Sequence, residues 1–579
     1  MQKTIPEVFF ETAKKYSEKA ALFYKKEGVY FPVTYKEFSD KVKIFSAYLQ
    51  SAGVEPADKV AILSENRPEW IISDLSIMAA GAITVPLHTS FSADAICRVL
   101  EHSESKILIV SNAELLNKVL LSRNPILKIE KIIFLETPSA GQREIWGQKL
   151  ISWQNIFSEQ INQNFKIVSR DPEACCSIIY TSGTTGDPKG VVLSHKNFLS
   201  NAEAVSQAVS ISDKDVFLSF LPLSHVLERL AGYYVPILLH GSAVAYAEGI
   251  KQMPQNLKEA RPTIIISVPR VFEKFHDAIW DKVNASSAVS QKIFKWALKQ
   301  NKKSFTYKIA DLLAFKKVRD SLGGRLRLAV SGGASLSDQI ERFFSKIGIT
   351  ILEGYGLTET SPVISVNREN DSKLGSVGKA IPGIEVKIAG NKEILVRGPS
   401  VFSGYFKNDF ETEKSFDKDG WFYTGDLGFI DKSGFLTIIG RAKEMIVTSG
   451  GKNVWPERME NLLNNDKFIS QSMIIGNKRK FISALIVPDW QEVEIYFKQN
   501  NLQLQEHSKL INSPILLDIF QKRLDEKINP NLHEYEQIRK FKILPQEFSQ
   551  EAGELTATLK LRRHIIESHC QKSIEAMYS

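Results

Sequence analysis

Short aliphatic and β-branched runs recur along the chain, among them Val60–Leu63, Ile107–Val110, Ile132–Phe134 and Ile264–Ser267. Stretches with helical spacing such as Trp70–Ala80 separate them. Brief apolar runs bounded by polar segments suit strands covered on both faces, and their alternation with helices predicts mainly parallel α/β layers. Met1–Ala21 mixes Glu and Lys through an amphipathic helical pattern and lacks the apolar core of a signal peptide, so it reads as mature protein. The most apolar stretches, Leu75–Leu87 and Tyr233–Ala247, are broken by Pro86 and Pro236 and fall short of the roughly 20 residues that span a bilayer.

From Leu374 to Ile439 the texture changes to short strands punctuated by glycine, the pattern of a compact β subdomain. Mixed α/β patterning returns after Arg441, which places a domain boundary near Gly440–Lys443. The reading is an α/β protein with a large N-terminal domain over 1–440, made of two α/β subdomains plus the β-rich one. A small α+β C-terminal domain covers 441–579. A Lys-rich helical segment spans Asp277–Arg325, and its plain reading as a solvated face weighs as much as a functional one. No internal repeat, heptad array or low-complexity segment is present.

A chain of 579 residues exceeds one compact core. The formal net charge of +8 suits anionic ligands or a weak attraction to anionic membranes and does not require nucleic acid. Cys97, Cys175, Cys176 and Cys570 have neither a CxxC spacing nor a dense framework, so no disulfide scaffold or zinc site is expected and a reducing cytoplasm fits.

The strongest chemical signal is Thr181-Ser182-Gly183-Thr184-Thr185-Gly186-Asp187-Pro188-Lys189-Gly190, set between the strand-like Cys176–Tyr180 and Val191–Leu193. Glycines admit close backbone approach to an anion, hydroxyls donate to phosphate oxygens, and Lys189 adds a point charge. The G-x-x-x-x-G-K-[ST] spacing is absent, which disfavours a P-loop NTPase.

This loop resembles the phosphate loop of the adenylate-forming superfamily of acyl-CoA synthetases, peptide-synthetase adenylation domains and luciferases. Further blocks follow in the family's order: Ser331–Ala334, Gly354–Glu359, Tyr423–Asp426, Gly440–Lys443 and a C-terminal Lys560. The resemblance implies ATP contacts for Thr181, Ser182, Gly183, Thr184, Thr185, Gly186, Lys189, Gly333, Ala334, Tyr355, Gly356 and Thr358, with Thr184 among the catalytic residues. It implies ribose contacts for Asp426 and Arg441 and Mg²⁺ ligation by the catalytic Glu359. Taken alone, Tyr355 and Thr358 would equally suit a core tyrosine and a helix cap.

His225, in Pro222–Arg229, is implied to orient the acyl carboxylate near a thiol channel, although a satisfied core histidine fits its apolar neighbourhood too. The resemblance gives Lys560 both ATP contact and transition-state stabilisation. It makes the C-terminal domain mobile about a hinge at Lys443, within 441–443, and assigns Ser449, Gly450 and Gly451 to coenzyme A. Leu223–Arg229, Val268–Lys274 and Thr556–Arg563 are similar to the long-chain branch, with Ala557 standing where proline is expected.

The expected activity is an AMP-forming long-chain fatty acid:CoA ligase, using ATP, Mg²⁺ and CoA. Alternatives are transfer to acyl carrier protein, a luciferase-like or adenylate-only activity, or a non-catalytic membrane-associated fatty acid binding protein. An H-x-x-x-x-D acyltransferase pattern at His276 and Asp281 is a weak signal and reads as helix surface. Peripheral attachment to the inner membrane face is an expectation from the basic balance. Oligomeric state, chain length and acceptor are left open by the sequence.

Overall fold

The computed structural model describes residues 3–120, 128–158, 165–181, 188–549, 551–556 and 560–579. The expected elements are present: Lys59–Leu63, Ser105–Val110, Lys131–Phe134 and Ile264–Ser267 are strands and Pro68–Ala79 is a helix. The chain forms two compact units. The first comprises Met1–Lys387, Leu395–Tyr423 and Asp431–Leu436; the second comprises Ile388–Ile394, Thr424–Ile430 and Thr437–Ser579. They interleave along the chain within the glycine-punctuated region, where Glu385–Ile388, Glu393–Arg397, Phe422–Ile430 and Leu436–Arg441 are short strands.

Two large mixed sheets organise the first unit. Lys59–Leu63 lies between the parallel neighbours Ile83–Leu87 and Ser105–Val110, and Cys175–Thr181 pairs antiparallel with Lys189–Ser194 in the same eight-stranded sheet. The second sheet runs parallel from Ala243–Tyr246 through Val216–Ser219, Ile264–Ser267 and Leu328–Ser331 to Thr350–Gly356. Strands covered on both faces need apolar side chains at consecutive positions, which is why the Ile264–Ser267 run reads as it does.

The Lys-rich segment is not purely a solvated insertion. Its helices bury Ile279, Phe294, Ala297, Ala310, Ala314 and Phe315 in one core with Leu218, Ile265 and Ala329. The second unit has a three-stranded sheet of Ile469–Ile475, Ile482–Pro488 and Ile538–Ile543, packed with helices Pro456–Asn464, Trp490–Gln499 and Pro514–Arg523. No helix among the described residues is long and apolar enough to cross a membrane.

The apolar stretch noted at Tyr233–Ala247 is a buried π-helix, Glu228–His240, followed by the strand Ala243–Tyr246. Its first turn carries two buried charge-bearing side chains. The guanidinium of Arg229 donates to both carboxylate oxygens of Asp74 and, at 2.7 Å, to the hydroxyl of Ser177. Tyr234 donates to the same carboxylate at 2.9 Å, and the rings of Trp70 and Phe198 lie 5.6 and 5.4 Å from the guanidinium carbon. Arg229 and Asp74 have no solvent-accessible side-chain surface, so removing either partner strands a charge in the core. Arg229→Met is expected to destabilise the chain by about 3–5 kcal/mol in urea unfolding, with a far smaller loss in the double variant Arg229→Met/Asp74→Leu.

Glu228 is buried without a hydrogen-bond partner for either oxygen among the described residues, and burial raises its pKa to about 8 despite the nearby Ser219 hydroxyl. Glu353 is raised to about 8 by the same cause, although one oxygen accepts from the Leu336 amide at 3.0 Å. Both folded values lie above the 4.5 of an ordinary glutamate. Between pH 4.5 and 8 the folded chain therefore holds protons that the unfolded chain has released, and stability falls as pH rises through that window. Glu228→Gln should flatten this slope, with melting temperatures of variant and parent diverging in the variant's favour from pH 5 to 8.

Candidate active site

The antiparallel pairing of Cys175–Thr181 with Lys189–Ser194 puts Thr181 opposite Lys189. Ser182, Gly183, Thr184, Thr185 and Gly186 lie outside the described residues, as does Ala557. The flanks are well fixed. Gly404–Tyr405 extends the same sheet, with Tyr405 opposite Val191, and the Phe406 amide donates to the Gly190 carbonyl at 2.7 Å. A side chain at Gly190 would press on Ile178, with a Cβ 2.8 Å from its Cγ2, so this position requires glycine.

Sheet extension builds a charged cluster beside the loop. The Lys189 ammonium donates to Glu411 and lies 5.3 Å from the centre of the Tyr405 ring. The Tyr405 hydroxyl donates to Oε1 of Glu359 at 2.9 Å. Burial and then the Glu359 carboxylate raise the Tyr405 pKa, keeping it a donor at any physiological pH. The sequence-identified Lys189 and Glu359 thus come together through Tyr405 and Glu411, which the motifs did not contain. The Gly404-Tyr405-Phe406 segment, a glycine beside two aromatics, is the signal that could have found Tyr405.

The Glu359 loop is held from beneath by the helix His195–Ala208. Asn201 donates to the carbonyls of Thr360 and Val363 at 3.2 and 2.7 Å, and Asn197 to those of Pro399 and Val401 at 2.8 and 3.1 Å. Gly356 is closed to any larger residue, because a Cβ there would stand 1.8 Å from the Pro362 carbonyl oxygen. Tyr355 is half-buried on the strand Thr350–Gly356, and Thr358 opens a single 3₁₀ turn, Thr358–Thr360.

Ser331 ends the parallel neighbour of that strand, and Gly332-Gly333-Ala334 follow it. Gly333 adopts φ +86°, which suits glycine, and a Cβ on Gly332 would stand 3.0 Å from Leu227. The His225 segment is thereby packed against this block. Nδ1 of half-buried His225 accepts from the Leu227 amide at 3.3 Å, and the neighbouring Ser224 hydroxyl lies 2.7 Å from Nδ1 of His88. Burial lowers the His88 pKa to about 4, so its ring is neutral at physiological pH.

The remaining site residues form a second cluster, within the C-terminal unit. Gly425 takes φ +73°, and the adjacent, buried Asp426 receives Nε of Arg441 at 3.2 Å. The Lys560 amide donates to the Thr556 hydroxyl and its carbonyl accepts from the Thr556 amide, at 3.0 and 2.8 Å. Lys560 is exposed as a residue, yet desolvation of its ammonium and the Arg441 guanidinium hold its pKa below the usual lysine range. The carboxylates of Glu457, Asp426 and Glu444 act in the opposite direction. Arg563, paired with both oxygens of Glu460 at 2.6 Å, ties the helix after Lys560 to the helix Pro456–Asn464.

Lys443 lies in the 3₁₀ turn Ala442–Glu444. Ser449, Gly450 and Gly451 are exposed in the turn between the paired strands Ile446–Val447 and Asn453–Val454. Gly451 has φ +73° and nothing within 4 Å of a Cβ position, so the backbone there is open to close approach. His276 and Asp281 sit on the helix Pro269–Asn284. His276 faces Asp277 at 3.0 Å and accepts from the Trp280 indole at 3.0 Å, and its largely covered ring packs edge-on against Phe343 rather than lying on the open surface.

Comparison with known proteins agrees with this arrangement. Residues 9–406 match the family described as AMP-binding enzyme, and residues 443–579 match the AMP-binding enzyme C-terminal domain. The chain is 35% identical over 576 residues to the long-chain-fatty-acid–CoA ligase FadD15 of Mycobacterium bovis, covering 96% of this chain and 93% of that protein. It is 30% identical over 616 residues to the human long-chain-fatty-acid–CoA ligase ACSBG2, covering 99% and 92%. The adenylation domain of a carboxylate reductase from Mycobacterium chelonae shares the fold, with a TM-score of 0.82 at 21% identity, covering 100% of this chain and 91% of that one. With both its halves matched and curated relatives aligned along nearly its whole length, the chain belongs to the AMP-binding enzyme family.

Proposed function

We propose that this chain is an AMP-forming long-chain fatty acid:CoA ligase. The observation that carries the reading is its similarity, along 96% of its length, to a relative named as such a ligase. In the first half-reaction a fatty carboxylate oxygen attacks the α-phosphorus of ATP; the new O–P bond forms as the bond to pyrophosphate breaks, leaving acyl-AMP. In the second, a thiolate attacks the acyl carbon and AMP departs with the carboxylate oxygen. The protein's main task in the first step is to stabilise charge on the phosphoryl oxygens and hold the attack in line.

Lys189 suits that task as a point charge opposite Thr181, oriented by Glu411 and the Tyr405 ring. Tyr355 offers a ring face for adenine, while Asp426 can accept from ribose hydroxyls with Arg441 beside it. Mg²⁺ takes few protein ligands and otherwise holds water and phosphate oxygens. The hard carboxylate of Glu359, with one oxygen fixed by Tyr405, fits that demand, and a bound Mg²⁺ would neutralise phosphate charge there. His225 is assigned to orientation of the acyl carboxylate.

Lys560 is assigned to the adenylation transition state. Its lowered pKa makes loss of its charge at alkaline pH easier than for a surface lysine. Ser449–Gly451 is assigned to thiol approach, and rotation of the residues beyond the hinge at Lys443 is the expected means of exchanging the two. CoA is favoured over acyl carrier protein as acceptor.

The decisive experiment is fatty-acid-dependent pyrophosphate release from MgATP, with palmitate first, with and without CoA. Multiple turnover is expected only with CoA, and no fatty-acid-dependent release at any of several chain lengths would overturn the reading. Lys560→Ala should lower the adenylation rate by roughly 10²–10³ while leaving the KM for palmitate nearly unchanged. Tyr405→Phe removes the hydrogen bond to Glu359 and should raise the Mg²⁺ concentration needed for half-maximal rate, with melting temperature within about 2 °C of the parent. Product analysis with CoA and acyl carrier protein supplied separately settles the acceptor.

A further inference from the structure

The helical run from Phe305 to Ser321 consists of the helix Phe305–Ala310, a π-turn Asp311–Phe315 and the helix Lys316–Ser321. One side packs inward through Ala310, Ala314 and Phe315. The opposite side carries Phe305, Ile309, Leu312 and Leu313 in the i, i+4, i+7, i+8 spacing of a single helical face. A face turned from the core is ordinarily polar. Here Phe305 is 74% exposed and Leu312 66%, with Ile309 and Leu313 exposed beside them, and Val289 and Trp296 project from the preceding helix Ala288–Leu298.

Charge decides what covers this stripe. Residues 288–321 hold Lys292, Lys295, Lys299, Lys302, Lys303, Lys308, Lys316, Lys317 and Arg319 against two acids, Asp311 and Asp320. That is a net +7 of the +8 carried by the whole chain, so nearly all of the protein's excess positive charge lies in this segment. All eight lysines are exposed. Among the described residues the ion pairs in this segment are Arg319 with Asp311 and Lys316 with Asp320, which leaves most of the ammonium groups to solvent.

We propose that this face, led by Phe305, Leu312 and Leu313 and ringed by the lysines, docks the protein on an anionic lipid surface. Apolar tips enter the headgroup boundary while ammonium groups on long stems meet lipid phosphates, the division of labour of an interfacial helix. Clusters of four to eight basic residues beside apolar anchors are the composition that recognises acidic lipid. A second copy of the chain would need acidic complementarity that a strongly cationic face does not offer itself, which disfavours self-association through this surface. The assignment rests on surface chemistry alone and is independent of the ligase reading.

The test is co-sedimentation of the full chain with vesicles of phosphatidylcholine alone or of equal parts phosphatidylglycerol and phosphatidylcholine, at low and high salt, with no ATP or fatty acid present. Binding is expected to the anionic vesicles and to be weakened, not abolished, by salt. Phe305→Ser/Leu312→Ser/Leu313→Ser should reduce binding at least about tenfold at both salt levels. Lys299→Gln/Lys303→Gln/Lys308→Gln should reduce it at low salt and leave little salt dependence. Unchanged melting temperatures show that the variants fold. Failure of the parent to bind anionic vesicles at low salt would overturn the proposal. So would parent-like binding by the apolar triple variant, or an apolar triple variant that changes oligomeric mass by light scattering while vesicle binding persists.

Discussion

The buried ion pair of Arg229 and Asp74 is the constraint on which the first unit depends. Its three anchor points come from different layers: Asp74 from the helix Pro68–Ala79, Ser177 from a central strand of one large sheet, and Arg229 from the π-helix packed by the other. A guanidinium with no access to water requires its hydrogen bonds in place at once, so the layers can meet in few other registers. Burial of charge is a costly means of stabilisation, but it specifies geometry. His225 lies one helical turn before Arg229, and the strand bearing Ser177 ends at Thr181, so this registration also constrains where His225 stands relative to Thr181.

Around that registration the active site is built by extending sheets. Among the described residues, the candidate nucleotide residues of the first unit stand at or just beyond strand ends: Thr181 and Lys189 on one sheet, Ser331–Ala334 and Gly354–Gly356 on the other. Open α/β sheets characteristically bind ligands beyond the carboxyl ends of their strands, because loops there have backbone groups to spare. Asn197 and Asn201 then spend their amides on carbonyls of the flanking loops, which fixes Glu359 without using its own carboxylate. The C-terminal unit uses a different device. It gathers Asp426, Arg441, Glu457 and Lys560 so that opposing charges nearly balance a lysine ammonium held away from bulk water.

Much of this was legible in the chain itself. Apolar periodicity located the strands of both sheets, because a doubly covered strand cannot avoid consecutive aliphatic residues, as at Ile264–Ser267. Glycine spacing located the candidate ligand loops: the Pro362 backbone leaves no room for a Cβ at Gly356, and the Ile178 side chain crowds Gly190. The order of these blocks identified the family. Lys560, an otherwise ordinary lysine near the end of the chain, had meaning only through that order.

What the sequence determined by itself was therefore whatever local sterics and patterning impose: element type, turn positions, the identity of the motif residues and the excess of lysine between 288 and 319. Tertiary structure decided the pairings between distant residues. Tyr405 meets Glu359 across 46 positions, Asp74 meets Arg229 across 155, and Asn197 meets Pro399 across 202, none of which any window of sequence can register. It also decided which face of the Phe305–Ser321 run is the outer one. Apolar residues occur on both sides of that helix, and only the packing of Ala310, Ala314 and Phe315 against the core leaves Phe305 and Leu312 turned to solvent.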